Sequence, residues 1–183
     1  MYISSTTPIL TNCTFAGNTA RGYGGGLYCL QASPTLTNCT FTGNFSDDGG
    51  GGMCNDLYSY PTLVNCTFTN NSADTGGGMH DLNFSTPSLA DCTFAGNLAR
   101  SGGGGMSNDE SSSPTLTDCT FENNSAVFNG GGMYNLEGSS PILANCAFVS
   151  NSAVFSGGGM YNYDRSEPTL DNCTFTRNSA GNG

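Results

Sequence analysis

The sequence predicts an all-β protein, a parallel β-helix (solenoid) of about seven rungs of 26–27 residues with three short strands in each rung. Seven cysteines recur at intervals of 26 or 27 residues, and the seven prolines recur at the same intervals. Self-similarity at a fixed period is the mark of a repeat protein, in which each unit packs only against its neighbours. The repeating cysteines are Cys13, Cys39, Cys66, Cys92, Cys119, Cys146 and Cys173.

Each repeat unit reads Pro-x-Leu-x-(Asn/Asp)-Cys-Thr-Phe-x-x-Asn, and a glycine run that ends in methionine completes it. Thr, Phe and Cys favour strands, Gly and Pro favour turns, and no segment keeps a helical period. We therefore expect strands around Gly-Gly-Met-Tyr, Pro-Thr-Leu-Thr and Cys-Thr-Phe. The repeating phenylalanines are Phe15, Phe41, Phe68, Phe94, Phe121, Phe148 and Phe175. The repeating asparagines are Asn18, Asn44, Asn71, Asn97, Asn124, Asn151 and Asn178.

An Asn or Asp precedes every cysteine of the repeat. The leucine lies an odd number of residues before the cysteine, so both side chains point inward only if the chain turns a corner between them. Asn and Asp tolerate the left-handed backbone conformation that such a corner needs. The predicted corner residues are Asn12, Asn38, Asn65, Asp91, Asp118, Asn145 and Asn172.

Stacking the units in register places identical side chains over one another. Leucine, cysteine, phenylalanine and methionine then form a dry interior, and the repeating asparagines form a hydrogen-bonded column, as amides do in cross-β stacks. We expect the glycine two residues before each methionine to share its inward face, which leaves room for the phenylalanine and methionine columns. We also expect the glycine runs to expose bare backbone as a flat surface that another copy approaches closely.

The array is predicted to be one domain over residues 1–183, and its start, Met1-Tyr2, matches the later step Met133-Tyr134. The end therefore runs in phase into the start, so we expect a segment of a longer array or a unit of an end-to-end filament. The first residues lack the basic and apolar regions of a signal peptide, and no stretch approaches the length of a membrane span.

Charge excludes two classes of partner. The formal net charge is −10, and the four basic residues are all arginines. A surface this acidic argues against electrostatic binding to nucleic acid or to an anionic membrane. The partners that remain are cationic, neutral or metal ions.

The repeating cysteines are expected to fill the core rather than to form bridges or metal sites. Inward thiols stacked in register run parallel rather than toward each other, so a bridge would distort the stack, and we expect small buried apolar side chains. No Cys or His spacing typical of a metal site is present. Cys29 and Cys54 lie off the repeat, after the glycine runs of adjacent rungs, and are the candidates for a disulfide.

Acidic residues raise the question of an enzyme, because lyase grooves on β-helices need clustered acids that bind calcium. The candidate calcium ligands are Asp47, Asp48, Asp81 and Asp109. We expect most of them to be solvated turn residues or backbone caps, together with the column near Asn55, Asp81, Asn108, Asn135 and Asn162. His80 has no second histidine and is expected to be a surface residue. The nearly constant rung length leaves no enlarged wall for a groove, so no catalytic residue and no cofactor is predicted.

Two motifs carry a family resemblance: Phe-x-x-Asn, from Phe15–Asn18 to Phe175–Asn178, and Gly-Gly-x-Met, in runs such as those ending at Met53 and Met160. Together they resemble the repeat of the chlamydial polymorphic outer-membrane proteins and of the wider group of bacterial right-handed parallel β-helix repeat proteins. The resemblance covers essentially the whole chain. It implies a right-handed coil in a surface-exposed or secreted bacterial passenger domain, often an adhesin.

We therefore expect an extracellular or cell-surface, non-enzymatic solenoid that serves as a stalk, an adhesin passenger or a fibre-forming subunit. Its expected partners are further copies of itself, end to end or laterally, and host or matrix glycans or proteins. One alternative is a carbohydrate-active β-helix enzyme, a polysaccharide lyase or glycosidase. A third is an ice-binding solenoid, because Thr35-Leu36-Thr37 and Thr115-Leu116-Thr117 resemble the Thr-x-Thr pairs of such proteins.

Overall fold

The structure, a computed structural model that describes residues 1–182, is a right-handed coil of parallel strands. Gly183 lies outside the described residues. Those residues form 28 strands in four sheets of seven strands each, and no helix. Every turn of the coil, called a rung below, contributes one strand to each sheet. The all-β, right-handed parallel β-helix of about seven rungs is confirmed.

We number the sheets in the order in which the chain enters them. Sheet 1 contains Tyr2–Ser4, Leu27–Leu30, Met53–Asp56, Met79–Asp81, Met106–Asn108, Met133–Asn135 and Met160–Asn162. Sheet 2 contains Ile9–Thr11, Thr35–Thr37, Thr62–Val64, Ser88–Ala90, Thr115–Thr117, Ile142–Ala144 and Thr169–Asp171. Sheet 3 contains Thr14–Ala16, Thr40–Thr42, Thr67–Thr69, Thr93–Ala95, Thr120–Glu122, Ala147–Val149 and Thr174–Thr176. Sheet 4 contains Thr19–Ala20, Phe45–Ser46, Ser72–Ala73, Leu98–Ala99, Ser125–Ala126, Ser152–Ser156 and Ser179–Asn182.

The rungs have four strands where the sequence predicts three. The three predicted strands form sheets 1 to 3, and the additional strand follows the repeating asparagine. In most rungs this strand is only two residues long, too short for an alternating pattern. One signal was present nonetheless: the second residue after each repeating asparagine is Ala or Ser, and its side chain is buried in rungs two to six. These buried residues are Ser46, Ala73, Ala99, Ala126 and Ala153.

The predicted corners between sheets 2 and 3 are confirmed. Their Asn or Asp residues all have φ between 50° and 55°, in the left-handed region. The same conformation recurs at the other three corners of the rung, for example at Gly43, Gly50 and Gln31. Four left-handed corners per rung turn the chain from one strand to the next without long loops.

The phenylalanine column forms the centre of the core. Successive rings are 4.6 or 4.7 Å apart and within 5° of parallel. Leucine, cysteine and methionine columns surround it, and all four columns are fully buried in the middle rungs. Rings this nearly parallel indicate that successive strands are hardly rotated against each other, and untwisted sheets are typically stabilised by side-chain columns of this kind.

Two expectations about the glycine runs are wrong. The glycine directly before each methionine, rather than the one before that, faces the phenylalanine column. At Gly78 a Cβ would lie 2.9 Å from Phe94 Cδ1 and 2.5 Å from the Gly105 oxygen. The glycines of rungs two to six that directly precede the methionine or Leu27 are buried. A Cβ on Gly77 would meet the Leu98 carbonyl of sheet 4. The runs therefore close the coil against sheet 4 and offer no flat surface to another copy.

Replacing Phe94 with leucine is expected to lower the free energy of unfolding by about 1–3 kcal/mol, because two ring-stacking contacts are lost. Phe94 is fully buried and stacks on Phe68 and on Phe121. Urea denaturation followed by circular dichroism measures the change. Phe175→Leu is the matched control: Phe175 has one stacked neighbour and is 44% exposed, so its effect should be less than half as large.

Candidate functional site

The repeating asparagines form a buried polar column at the corner between sheets 3 and 4. Asn97 illustrates its bonding: its Nδ2 donates to the carbonyl of Phe68 at 2.9 Å and to Asn124 Oδ1 at 3.0 Å. Its Oδ1 accepts from the backbone N–H and from Nδ2 of Asn71, at 2.9 and 3.0 Å. The side chain thereby satisfies both its own amide and backbone groups of neighbouring rungs, so its role is structural.

A second buried column, of serines, was not predicted from the sequence. The hydroxyl of Ser85 accepts from the backbone N–H of Ser59 at 3.2 Å, and that of Ser112 accepts from Ser85 N–H at 3.1 Å. Each serine lies two residues before a repeating proline, an offset that could have revealed the column. Its members are Ser59, Ser85, Ser112 and Ser139, all fully buried.

A third polar column corrects the expectation of solvated turn residues. It lies in sheet 1, two residues after each methionine, and its members Asn55, Asp81, Asn108 and Asn135 are fully buried. Asn55 Nδ2 donates to Asp81 Oδ1 at 2.7 Å, and Asn108 Nδ2 donates to Asn135 Oδ1 at 2.8 Å. Only Asn162 is exposed.

Burial raises the pKa of the Asp81 carboxyl to about 8, with a further rise from the charge of Asp109 and an opposing effect of the hydrogen bond from Asn55. Inside the coil the charged form loses its hydration, and one amide donor does not replace it.

The repeating cysteines also point inward and are buried in rungs two to six. Each thiol faces backbone carbonyls: Cys66 Sγ lies 3.7 Å from the oxygen of Leu36 and 3.5 Å from that of Val64. All nine cysteines are free. The cysteine column therefore fills the core next to the Asn and Asp residues that form the corner between sheets 2 and 3.

The candidate disulfide between Cys29 and Cys54 does not form. In the register of sheet 1, Cys54 pairs with Tyr28, and Cys29 pairs with Asn55. Successive side chains of a strand point to opposite faces, so Cys29 faces inward below Asn55 while Cys54 faces outward. Burial raises the pKa of Cys29 to about 12 and that of Cys54 well above its usual value, so neither thiol is an activated nucleophile.

Under native conditions, a thiol reagent such as DTNB is expected to leave the buried cysteines unmodified for as long as the coil stays folded, because the fold makes them inaccessible to the reagent. In denaturant, nine thiols should react. Mass spectrometry of the native, labelled chain locates the modified residues. Modification of Cys54 at a rate close to that of free cysteine would contradict the burial described above.

His80 is not the surface residue that the sequence suggests. Its side chain is only 6% exposed, and its Nε2 lies 2.7 Å from Asp109 Oδ2. It faces outward from sheet 1, beside Cys54 in the register. The absence of a side chain at Gly49 provides its space, because a Cβ there would contact His80 Nδ1. The loop between sheets 4 and 1 covers the His80 side chain, and strand alternation alone does not predict this cover.

Models of two known families match the chain. The profile of the family described as "Right handed beta helix region" matches residues 59–183. The chain belongs to this family. The profile described as "Chlamydia polymorphic membrane protein (Chlamydia_PMP) repeat" matches residues 12–30. No curated protein matches the chain significantly.

The candidate calcium ligands of this β-helix are not brought together. Asp47 and Asp48 are exposed in the turn that follows sheet 4, Asp81 is inside the coil, and Asp109 lies beside His80. Among residues 1–182 no group of three or more His, Cys, Asp or Glu side chains is placed to hold a metal ion. No helix in that range could cross a membrane.

The outer faces of sheets 2 and 3 carry the threonine rows. In sheet 3 the row is in register, and Thr67 Oγ1 donates to Thr40 Oγ1 at 3.3 Å. Ala147 interrupts this row, and Ile142 interrupts the row that contains Thr35 and Thr115 in sheet 2. The β-helix therefore has regular but interrupted hydroxyl surfaces.

Proposed function

We propose that this β-helix is an extracellular, non-enzymatic solenoid that acts as a surface stalk or adhesive array. The repeat of the chlamydial polymorphic membrane proteins and the β-helix fold fit a surface adhesin-like solenoid. Its localisation at a bacterial cell surface is part of the proposal.

The observation that carries the proposal is the uniformity of the rungs. All four sheets run through seven rungs, and the corners between them are short, so residues 1–182 form no long loops around a cleft. The polar groups with the most hydrogen bonds are turned inward, where they hold rung to rung. Such a coil is a rigid spacer with a repetitive lateral surface, which suits many weak contacts better than one catalytic centre.

The charge indicates the chemistry of the partners. With a formal net charge of −10, the surface suits neutral or cationic partners, such as neutral glycans or basic patches of matrix proteins. A further copy of the chain is a third kind of partner, because each rung presents to the next the same backbone groups that pair inside the coil. Lateral contact through the glycine runs is not proposed, since the runs are buried.

Adhesion is tested with beads that carry the purified chain at a range of densities. The beads are applied to immobilised glycans and matrix proteins, and the beads retained under flow are counted. Retention that rises steeply with density and exceeds that of beads carrying the unfolded chain would support an adhesive array. Retention equal to that control on every surface would contradict the adhesive role. Electron microscopy of the same sample shows whether the copies form filaments.

The enzymatic alternative is tested on the same preparation. The chain and the double variant Asp47→Ala/Asp48→Ala are incubated with acidic and neutral polysaccharides, with and without calcium. The expected result is no release of reducing or unsaturated ends by either protein. Calcium-dependent cleavage that is lost in the double variant would contradict the proposal and establish a polysaccharide-cleaving enzyme.

A further inference from the structure

The buried polar column of sheet 1 contains a gap between rungs four and five. Asp81 and Asn108 are register partners there. Asp81 Oδ1 accepts from Asn55 on one side, and Asn108 Nδ2 donates to Asn135 on the other. The two atoms left over, Asp81 Oδ2 and Asn108 Oδ1, are buried and have no hydrogen-bond partner. They are both acceptors on facing side chains.

The side-chain hydrogen bonds along the column all run in one direction, and this direction shows that the gap lacks a hydrogen-bond donor. Asn55 donates toward rung four, Asn108 toward rung six and Asn135 toward rung seven, all in the same sense. A donor on Asp81 Oδ2 would make this chain of hydrogen bonds continuous from rung three to rung seven. A carboxylic acid carries one such donor, and a carboxylate carries none.

We propose that Asp81 is a proton-binding site inside the coil: its neutral carboxylic acid donates from Oδ2 to Asn108 Oδ1 and joins rungs four and five. Loss of this proton leaves a negative charge and two facing acceptors in the interior, which weakens the contact between these rungs. The strength of the contact between rungs four and five thus depends on pH through the protonation of Asp81.

The gap suits a proton, because no neighbouring group neutralises the Asp81 carboxylate and too few oxygen atoms are available for a metal cation. The titratable neighbours are Asp109 on the next rung, Cys54 on the preceding rung and Cys29 one rung further, and none supplies a positive charge. His80, on the same strand, points outward to Asp109. Calcium requires six to eight oxygen ligands, whereas this dry interior offers two or three.

The raised pKa of Asp81, about 8 against 3.8 in a free side chain, fixes the direction of the pH dependence. Between these values the unfolded chain gives up a proton that the folded chain keeps. Stability therefore falls as the pH rises through this window and levels off above the folded-state pKa. Below the window both states are protonated and the penalty is absent.

The test compares the native chain with Asp81→Asn, whose amide makes the same donation at every pH. Denaturation midpoints are measured between about pH 4 and pH 9. We expect the native midpoint to fall relative to that of Asp81→Asn as the pH rises, so that the variant is the more stable of the two at pH 8. The ¹³Cγ resonance of Asp81 should keep its protonated position at neutral pH.

Asp91→Asn is the matched control, because Asp91 also occupies an asparagine position in a column but is exposed at a corner. Its midpoint should follow that of the native chain at every pH. A ¹³Cγ titration of Asp81 near its ordinary pKa, or equal pH profiles for the native chain and Asp81→Asn, would overturn the proposal. So would a native midpoint at pH 8 that rises with added calcium while that of Asp81→Asn does not, because the gap would then hold a cation.

Discussion

Replacing Gly78 with alanine is expected to destabilise the coil by at least about 3 kcal/mol, because the added methyl group overpacks a fixed backbone. The new Cβ would lie 2.5 Å from the Gly105 carbonyl oxygen and 2.9 Å from Phe94 Cδ1. Neither group can retreat: the Gly105 carbonyl accepts from the backbone N–H groups of Gly78 and Met79, and the ring is held between two others. Thermal unfolding followed by circular dichroism should show a much lower midpoint or no cooperative transition.

Gly43→Ala separates overpacking from backbone strain. Gly43 has φ of +61°, and a Cβ there would meet nothing within 4 Å. Alanine at Gly43 therefore costs only the left-handed strain, about 1–2 kcal/mol. If both variants lost the same stability, the close approach of neighbouring rungs at Gly78 would not be the cause.

Asn97→Ala is expected to cost about 4 kcal/mol or more, the second large effect. The change removes every bond of the Asn97 side chain. It leaves the backbone N–H and one Nδ2 proton of Asn71 unpaired, and it takes one donor each from the Phe68 carbonyl and from Asn124 Oδ1. Each buried polar group left unpaired costs about 1–3 kcal/mol, although water entering the space reduces the sum. The free energy of unfolding in urea measures it.

The comparison variant is Asn65→Ala, at an exposed corner. Asn65 Nδ2 also donates along a column, to Asn38 Oδ1 at 2.8 Å, but both side chains are open to water. Its loss should cost about 1–2 kcal/mol, mostly from the left-handed φ of 52°. Equal effects at the two positions would mean that burial of the column does not determine its contribution.

The repeat made most of the fold predictable from the sequence. Register, inward columns and the left-handed corners follow from identical residues at constant offsets, because stacking turns each offset into a column. The strands of sheet 4 were not predicted because a strand of two residues is too short to show an alternation of buried and exposed side chains. The serine column escaped because Ser59 and its equivalents resemble ordinary turn residues before proline.

The outward residues were harder to predict. His80 and Cys54 occur once each in their column, so no repetition indicates what surrounds them. Their burial depends on the loop between sheets 4 and 1, and this loop varies from rung to rung: the position of Gly49 is occupied by Thr75 in the next rung. Asp81 was misassigned for a different reason: Asp and Asn are common in exposed turns, and this preference was followed although Asp81 lies two residues after the inward Met79, an offset that predicts an inward side chain.

The buried amides give the coil a chemical direction. From Asn44 to Asn151 each Nδ2 donates to the following rung and each Oδ1 accepts from the preceding one. The aligned amides form a dipole along the axis, with acceptors facing one way and donors the other. Two such coils can continue this column only head to tail. A head-to-head junction would set carbonyl oxygen against carbonyl oxygen, with no donor between them.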